Sequence, residues 1–127
     1  MLTTGTGLGG GYVKSGKVIL GESWKACEIG HTILYPNGRE CNCGKKGCAE
    51  QYISMGVLHK YAGVKDRKEP LKLFEKSSEK VIKALEIMAN GLAILIDRIF
   101  LEFDPEFTTL GVGNLQNFQC IALIEWL

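Results

Sequence analysis

What the 127-residue chain lacks narrows it first. It holds no stretch of 18 or more apolar residues, so no transmembrane helix is expected. Neither sign of charge prevails: 15 Lys and Arg face 14 Asp and Glu, a formal net charge of +1. Without a bulk positive field, generic DNA or RNA binding starts at a disadvantage. The opening residues Met1-Leu2-Thr3-Thr4-Gly5 carry neither a basic cluster nor an apolar h-region, so no signal peptide is visible and the cytoplasm is the expected compartment. There, five cysteines read as reduced or metal-bound rather than as a disulfide framework. Proline is scarce, at three residues, whereas glycine reaches 16. The apolar share of 46% can build a core and argues against disorder. The length fits one compact domain.

Along the chain, β-leaning runs flank Ser15-Gly16 and predict a tight hairpin within residues 12–20. Residues 21–48 lack sustained periodicity and read as an irregular, ligand-bearing stretch with a turn at Pro36-Asn37-Gly38. Tyr52, Ile53, Val57, Leu58 and Tyr61 recur at helical spacing, predicting a helix over 49–61 with Gly63 as terminator. Pro70 can open a short helix through Phe74. A long helix is expected from about Ser78 to Phe103. Its apolar positions are Val81, Ile82, Leu85, Met88, Ala89, Leu92, Leu95, Ile96, Ile99, Phe100 and Phe103, and the stripe widens towards the C-terminal end, implying burial on several sides. Asp104-Pro105 stops it. Phe107 to Gly113 reads as a buried strand ending in a glycine turn, and residues 121–127 are too short to assign. The order is mixed α/β, with helices stacked on sheet.

Chemistry concentrates in short segments. Thr4-Gly5-Thr6-Gly7-Leu8-Gly9-Gly10-Gly11 places five glycines in seven residues, a run able to take positive φ and aim N–H groups at an anion, with Thr4 and Thr6 adding hydroxyls. A phosphate cradle and a flexible hairpin tip both fit; the P-loop and Rossmann fingerprints do not. A glycine loop so near the first methionine lacks room for a full supporting strand, so the chain is read as cut from something larger. His31 precedes Cys41, Cys43 and Cys48 by ten residues or more, and these side chains form a four-ligand set for a structural zinc over residues 31–50. Unrelated reduced thiols are the alternative. Glu28 and Glu50 flank that loop; held close together, their carboxylates would suit a polyhydroxylated ligand, while either alone reads as a solvated charge. His59 is expected to be exposed, Cys27 and Cys120 to be packing residues, and the lysines around 45–46 and 83 to be solvated.

Together these segments resemble the ROK family of repressors, open reading frames and sugar kinases. The resemblance rests on Gly5-Thr6-Gly7-Leu8-Gly9-Gly10-Gly11, Glu28-Ile29-Gly30-His31 and Cys41-Asn42-Cys43-Gly44-Lys45-Lys46-Gly47-Cys48-Ala49-Glu50. It implies an actin-like ATPase fold of ribonuclease-H-like halves, this chain being a truncated C-terminal lobe, a single partial domain over 1–127 with the zinc loop at 31–50. It further implies transfer of the γ-phosphoryl of ATP, with Mg2+, to a hexose or N-acetylhexosamine. By that resemblance His31, Cys41, Cys43 and Cys48 bind zinc, and Glu28, His31 and Glu50 contact the sugar. Thr4, Gly5, Thr6, Gly7, Gly9 and Gly10 face the ATP phosphates, and Gly111 and Gly113 belong to an adenosine-side motif. The chain also departs from the family. The catalytic Asp of an Asn-Asp pair is absent, as is the Asp-x-Gly-x-Thr hairpin, Cys27 replaces a glycine, and Gly113-Asn114-Leu115-Gln116 replaces the usual continuation. The chain alone is therefore expected to be an inactive part of a sugar kinase. The sugar-sensing domain of a ROK repressor, binding nucleic acid only through an upstream helix-turn-helix, and a stand-alone zinc-stabilised interaction module are the rival readings. The wide apolar face of the long helix predicts a homodimer.

Overall fold

The computed structural model describes residues 1–64, 78–112 and 121–124. Strand β1 (Leu2–Thr4) turns through Gly5-Thr6-Gly7 into β2 (Leu8–Gly10), pairing antiparallel with Thr4 opposite Leu8 and Leu2 opposite Gly10. A second hairpin, β3 (Val13–Lys14) and β4 (Lys17–Val18), forms at the expected Ser15-Gly16 turn. Both turn residues lie at positive φ, 51° and 73°, the backbone twist that suits a two-residue hairpin.

The Glu28-Ile29-Gly30-His31 segment ends in a 3-10 turn, Ile29–His31, seated on β2. Gly30 is needed there because a Cβ would run into the Leu8 carbonyl oxygen. The expected helix over 49–61 is two helices, α1 (Glu50–Ile53) and α2 (Met55–Ala62), separated by extended Ser54. The break is tertiary in origin. The Thr4 hydroxyl donates to the Ile53 carbonyl at 2.9 Å and the Met55 N–H donates to the Gly5 carbonyl at 2.9 Å. The first hairpin thus takes hydrogen-bonding groups that a continuous helix would have used. Gly63 closes α2 at φ 66° and donates to the Leu58 carbonyl, as its position predicted.

The long helix α3 (Glu79–Phe103) ends where Asp104 turns left-handed, at φ 43°. Its buried seam is Val81, Ala84, Gly91, Leu95, Ile99 and Phe100. Ile82, Ala89 and Phe103, expected inside, are exposed, and Leu101 is 72% exposed, so the helix is not buried on all sides. The reason is proximity: α1 and α2 both pack against α3, and the small residues Ala84 and Gly91 let them approach.

Strand β5 (Thr108–Val112) follows and lies parallel to β1; β6 (Ile121–Ile124) pairs antiparallel with β5, giving a sheet in the order β2-β1-β5-β6. One core cluster joins this sheet to α1 and α3 through Leu2, Leu8, Leu34, Ala49, Tyr52, Ile53, Leu95 and Ile99. A second, of Val57, Leu58, Val64, Val81 and Ala84, joins α2 to the start of α3. No helix among the described residues is long and apolar enough to cross a membrane. The short helix expected over 70–74, Gly113 and Cys120 lie outside the described residues.

Candidate metal and ligand site

The irregular stretch between the 3-10 turn and α1 is folded by its own backbone. Leu34 N–H donates to Gly47 O at 2.8 Å, Gly47 N–H to Arg39 O at 2.7 Å, and Ala49 N–H to Thr32 O at 2.8 Å. Within the loop Cys41 N–H donates to Lys45 O at 2.9 Å and Gly44 N–H to Cys41 O at 3.0 Å, a tight knuckle with Gly44 at φ 88°. Gly47 has no substitute: it sits at φ 77°, and a Cβ there would strike the Tyr35 carbonyl.

This folding brings His31, Cys41, Cys43 and Cys48 together, with ligand atoms all within 4.8 Å of one another. The Cys43 and Cys48 sulfurs are 3.6 Å apart, and His31 Nδ1 lies 3.8 Å from the Cys41 sulfur. Zinc–sulfur bonds of about 2.3 Å in a tetrahedron require sulfur–sulfur edges of about 3.8 Å, and the Cys43–Cys48 separation is near that value. Cys48 is fully buried, Cys41 is buried and Cys43 is exposed. Burial pushes the Cys48 thiol up to about 12, with the neighbouring thiols adding to the rise. The Lys45 backbone hydrogen bond holds the Cys43 thiol below the usual range. Cys48, buried and reluctant to ionise, thus stands beside an exposed Cys43 whose thiolate is favoured, and a cation between them would stabilise both as thiolates.

Glu50 follows the last thiol by two residues and opens α1. Its carboxylate accepts from the Leu8 N–H at 3.3 Å, and it lines an open groove with Thr3, Thr4, Gly5, Gly7, Leu8 and Gly9. Gly7 approaches so closely that a Cβ would lie 2.5 Å from Glu50 Oε2. Gly7 serves that approach, Gly9 lies against Thr3 and Gly10 against Ile29, and left-handed backbone is not the reason for them: the positive-φ glycines among the described residues are Gly16, Gly21, Gly44, Gly47 and Gly63, none of them between 5 and 11. The loop is a hairpin tip, pinned at Gly5 and Thr4 to the α1–α2 junction, and it shares its groove with a carboxylate.

Glu28 is placed elsewhere. It is exposed and lines a cleft with Thr32, Leu95, Arg98 and Glu102, whereas Glu50 lines the groove of the glycine hairpin. The 3-10 turn directs Glu28 towards the C-terminal half of α3, whereas the metal loop returns Glu50 to the glycine hairpin. Gly111 lies in β5 beside Thr3 of β1. His59 is exposed as expected. Cys27 sits at φ 64°, a left-handed position that explains why a glycine suits it.

Arg39 and Gln51 carried no sequence signal, and Tyr52 only that of an apolar helix position. The Arg39 guanidinium lies 4.3 Å from the Tyr52 ring centre and 4.6 Å from that of Tyr61, and Nη1 donates to the Gln51 carbonyl. The Arg39 N–H donates to the Tyr52 hydroxyl at 2.8 Å, and Gln51 Nε2 lies 3.6 Å from the Cys41 sulfur. These contacts join residues 10 or more apart in sequence, and no local pattern encodes them.

The model of the ROK family matches residues 1–122. The chain belongs to the ROK family. Among its ROK relatives, an N-acetyl-D-glucosamine kinase of Vibrio parahaemolyticus is 34% identical over 94% of this chain and 44% of its own length. An N-acetylmannosamine kinase of Haemophilus influenzae is 33% identical over 98% of this chain and 43% of its own. The chain thus spans less than half the length of the curated relatives it matches. The solved ROK hexokinase of Thermus thermophilus superimposes with a TM-score of 0.78 and 32% identity, covering 88% of this chain and 39% of that one. A ROK glucokinase from Streptomyces griseus, solved with glucose and AMPPNP, gives 0.75 at 25% identity, covering 88% and 43%. The fold is therefore that of the ROK hexokinases, as the sequence resemblance implied.

Proposed function

We propose that this chain is a C-terminal-lobe portion, a single partial domain, of an ATP-dependent ROK sugar kinase acting on a hexose or N-acetylhexosamine. The observation that carries this reading is the meeting of a four-ligand His and Cys cluster, a carboxylate two residues beyond it, and a glycine hairpin in one neighbourhood. Zinc, held by His31, Cys41, Cys43 and Cys48, is structural: four protein ligands leave no open position for a catalytic water. Glu50 accepts hydroxyl protons of the sugar, and His31, whose Nδ1 faces the thiols, keeps Nε2 for a hydroxyl oxygen. Glu28 enters this reading as a third sugar contact on the family resemblance of the Glu28 to His31 segment alone, since here it lines a cleft beside the long helix. The Gly5, Thr6, Gly7, Gly9 and Gly10 hairpin, anchored by the Thr4 hydroxyl on the Ile53 carbonyl, steadies the phosphates of ATP, whose Mg2+ offsets their charge, and Gly111 with Gly113 belongs to the nucleotide side.

In that reaction a sugar hydroxyl oxygen attacks the γ-phosphorus, the bond to the β,γ-bridging oxygen breaks, ADP leaves, and the hydroxyl proton passes to a general base. Positioning and charge stabilisation do most of the work in such transfers. The sequence holds no Asn-Asp pair to supply that base, and losing a general base costs about 10²–10⁴-fold in rate. The 127-residue chain alone is therefore expected to bind zinc but to release no ADP in a coupled assay with N-acetylglucosamine, N-acetylmannosamine or glucose. Clear turnover by the chain alone would overturn its assignment as an inactive portion. A zinc-loaded chain whose melting temperature no sugar of that panel raises would overturn the placing of the sugar on Glu50. The repressor reading has less support: the similar curated relatives are kinases, and a ROK transcriptional regulator at 21% identity shares the fold alone.

A further inference from the structure

We propose that Gln51 is a positioning residue of the metal clasp, its side-chain amide donating to the Cys41 sulfur and tying the ligand sphere to the start of α1, where Glu50 stands. The proposal rests on the assignment of His31, Cys41, Cys43 and Cys48 as metal ligands. Gln51 touches both limbs of the clasp. Its Nε2 lies 3.6 Å from Cys41 Sγ, and its backbone N–H donates to the Cys48 carbonyl at 3.0 Å. Its own carbonyl is held by Arg39 Nη1, and Arg39 is clamped between the Tyr52 and Tyr61 rings. The residue is thus fixed from three directions.

The chemistry assigns the amide its role. As a thiol, Cys41 donates to Asn42 Oδ1 at 3.3 Å. As a metal-bound thiolate it has no proton left to donate, and the Asn42 oxygen becomes a poor neighbour for the negative sulfur. Gln51 Nε2 carries hydrogens and suits the thiolate form. Cys41 is only 7% exposed, so water does not replace a lost donor. Donors of this kind orient ligands and tune the metal, and removing one typically costs about 10–100-fold in affinity. Because Glu50 is the adjacent residue, the same hydrogen bond sets where its carboxylate meets the Leu8 N–H and Gly7.

The test uses the 127-residue chain and the metal alone. Zinc affinity is measured against a chromophoric chelator, and the thiolate-to-metal charge-transfer band is recorded after loading with Co2+. Two variants are compared, Gln51→Leu, which removes the donor, and Gln51→Glu, which keeps the shape and replaces the donor by an anion. Gln51 is half-buried, and far-UV circular dichroism checks that both variants fold. Expected are one metal per wild-type chain, an affinity about 10–100-fold lower in both variants, and a displaced charge-transfer band. Affinity and band unchanged in either folded variant would overturn the role of Gln51 while leaving the clasp standing. A wild-type chain that takes up no metal would overturn both.

Discussion

At the scale of single residues, four non-glycine residues among those described stand at positive φ, Ser15, Trp24, Cys27 and Asp104, and Cys27 adjoins the site. Cys27 is held at φ 64°, one residue before the Glu28 to His31 segment, in a region where a side chain costs about 1–2 kcal/mol. Glycine takes the same conformation without that cost but loses more freedom on folding, about 0.5–1 kcal/mol. The balance favours Cys27→Gly by about 0.5–1 kcal/mol, to be read as a higher urea midpoint with an unchanged slope. An equal or lower midpoint would mean that Cys27 packing against its cleft outweighs the strain. Positive φ was legible for Gly63 and for Ser15-Gly16, where hydrophobic runs end on turn residues. It was misread in the glycine loop, where Gly7, Gly9 and Gly10 are closely approached by Glu50, Thr3 and Ile29 respectively.

At the scale of elements, the fold was legible wherever a local period or stop signal decided it. The long helix follows from its 3.6-residue repeat and its Asp-Pro stop, and the metal cluster follows because three thiols within eight residues leave few ways to diverge. The two-helix break at Ser54, the Arg39 clamp and the cleft that Glu28 shares with Arg98 and Glu102 were illegible, because each depends on partners distant in sequence. The buried seam of α3 was read correctly at Val81, Leu95, Ile99 and Phe100 and missed at Ala84 and Gly91 for a related reason: Gly91 is inside because α1 crosses it, not because glycine is apolar. A Cβ at Gly91 would lie 3.2 Å from both Ile53 Cγ1 and Tyr52 Cβ. A larger side chain must therefore push α3 from the helix that carries Glu50 and Gln51. Gly91→Leu should destabilise the chain by about 1–3 kcal/mol in spite of leucine's better helix propensity, and weaken zinc binding with it. Thermal melts with and without zinc would separate the effects, and an undiminished zinc-induced shift would deny the coupling of α3 to the clasp.

At the scale of the whole molecule, the first core cluster draws Leu34 and Ala49 from the two ends of the metal loop and Leu2, Leu8, Ile53, Leu95 and Ile99 from the sheet and helices. Ordering the loop and closing the core are therefore one event, and an ion that binds only the folded chain stabilises all of it. At a free zinc concentration about 100 times the dissociation constant the gain is about 2.7 kcal/mol, which for a chain of this size is on the order of 10 °C in melting temperature. The pH dependence has two opposite limbs. Without metal, Cys48 has its folded value raised by burial to about 12, so folding favours the neutral thiol. That contribution is complete below the ordinary thiol range near 9 and is lost as pH climbs towards 12. With metal, the ligands must shed their protons, so the added stability falls as the solution is acidified and the thiolates and imidazole take protons up. Melting curves at pH 5, 7.5 and 9.5, each with zinc and with chelator, should show the zinc-induced shift growing with pH while the chelated chain weakens at the alkaline end. A shift that does not change between pH 5 and 7.5 would mean that the ion is held by groups other than His31 and the three thiols.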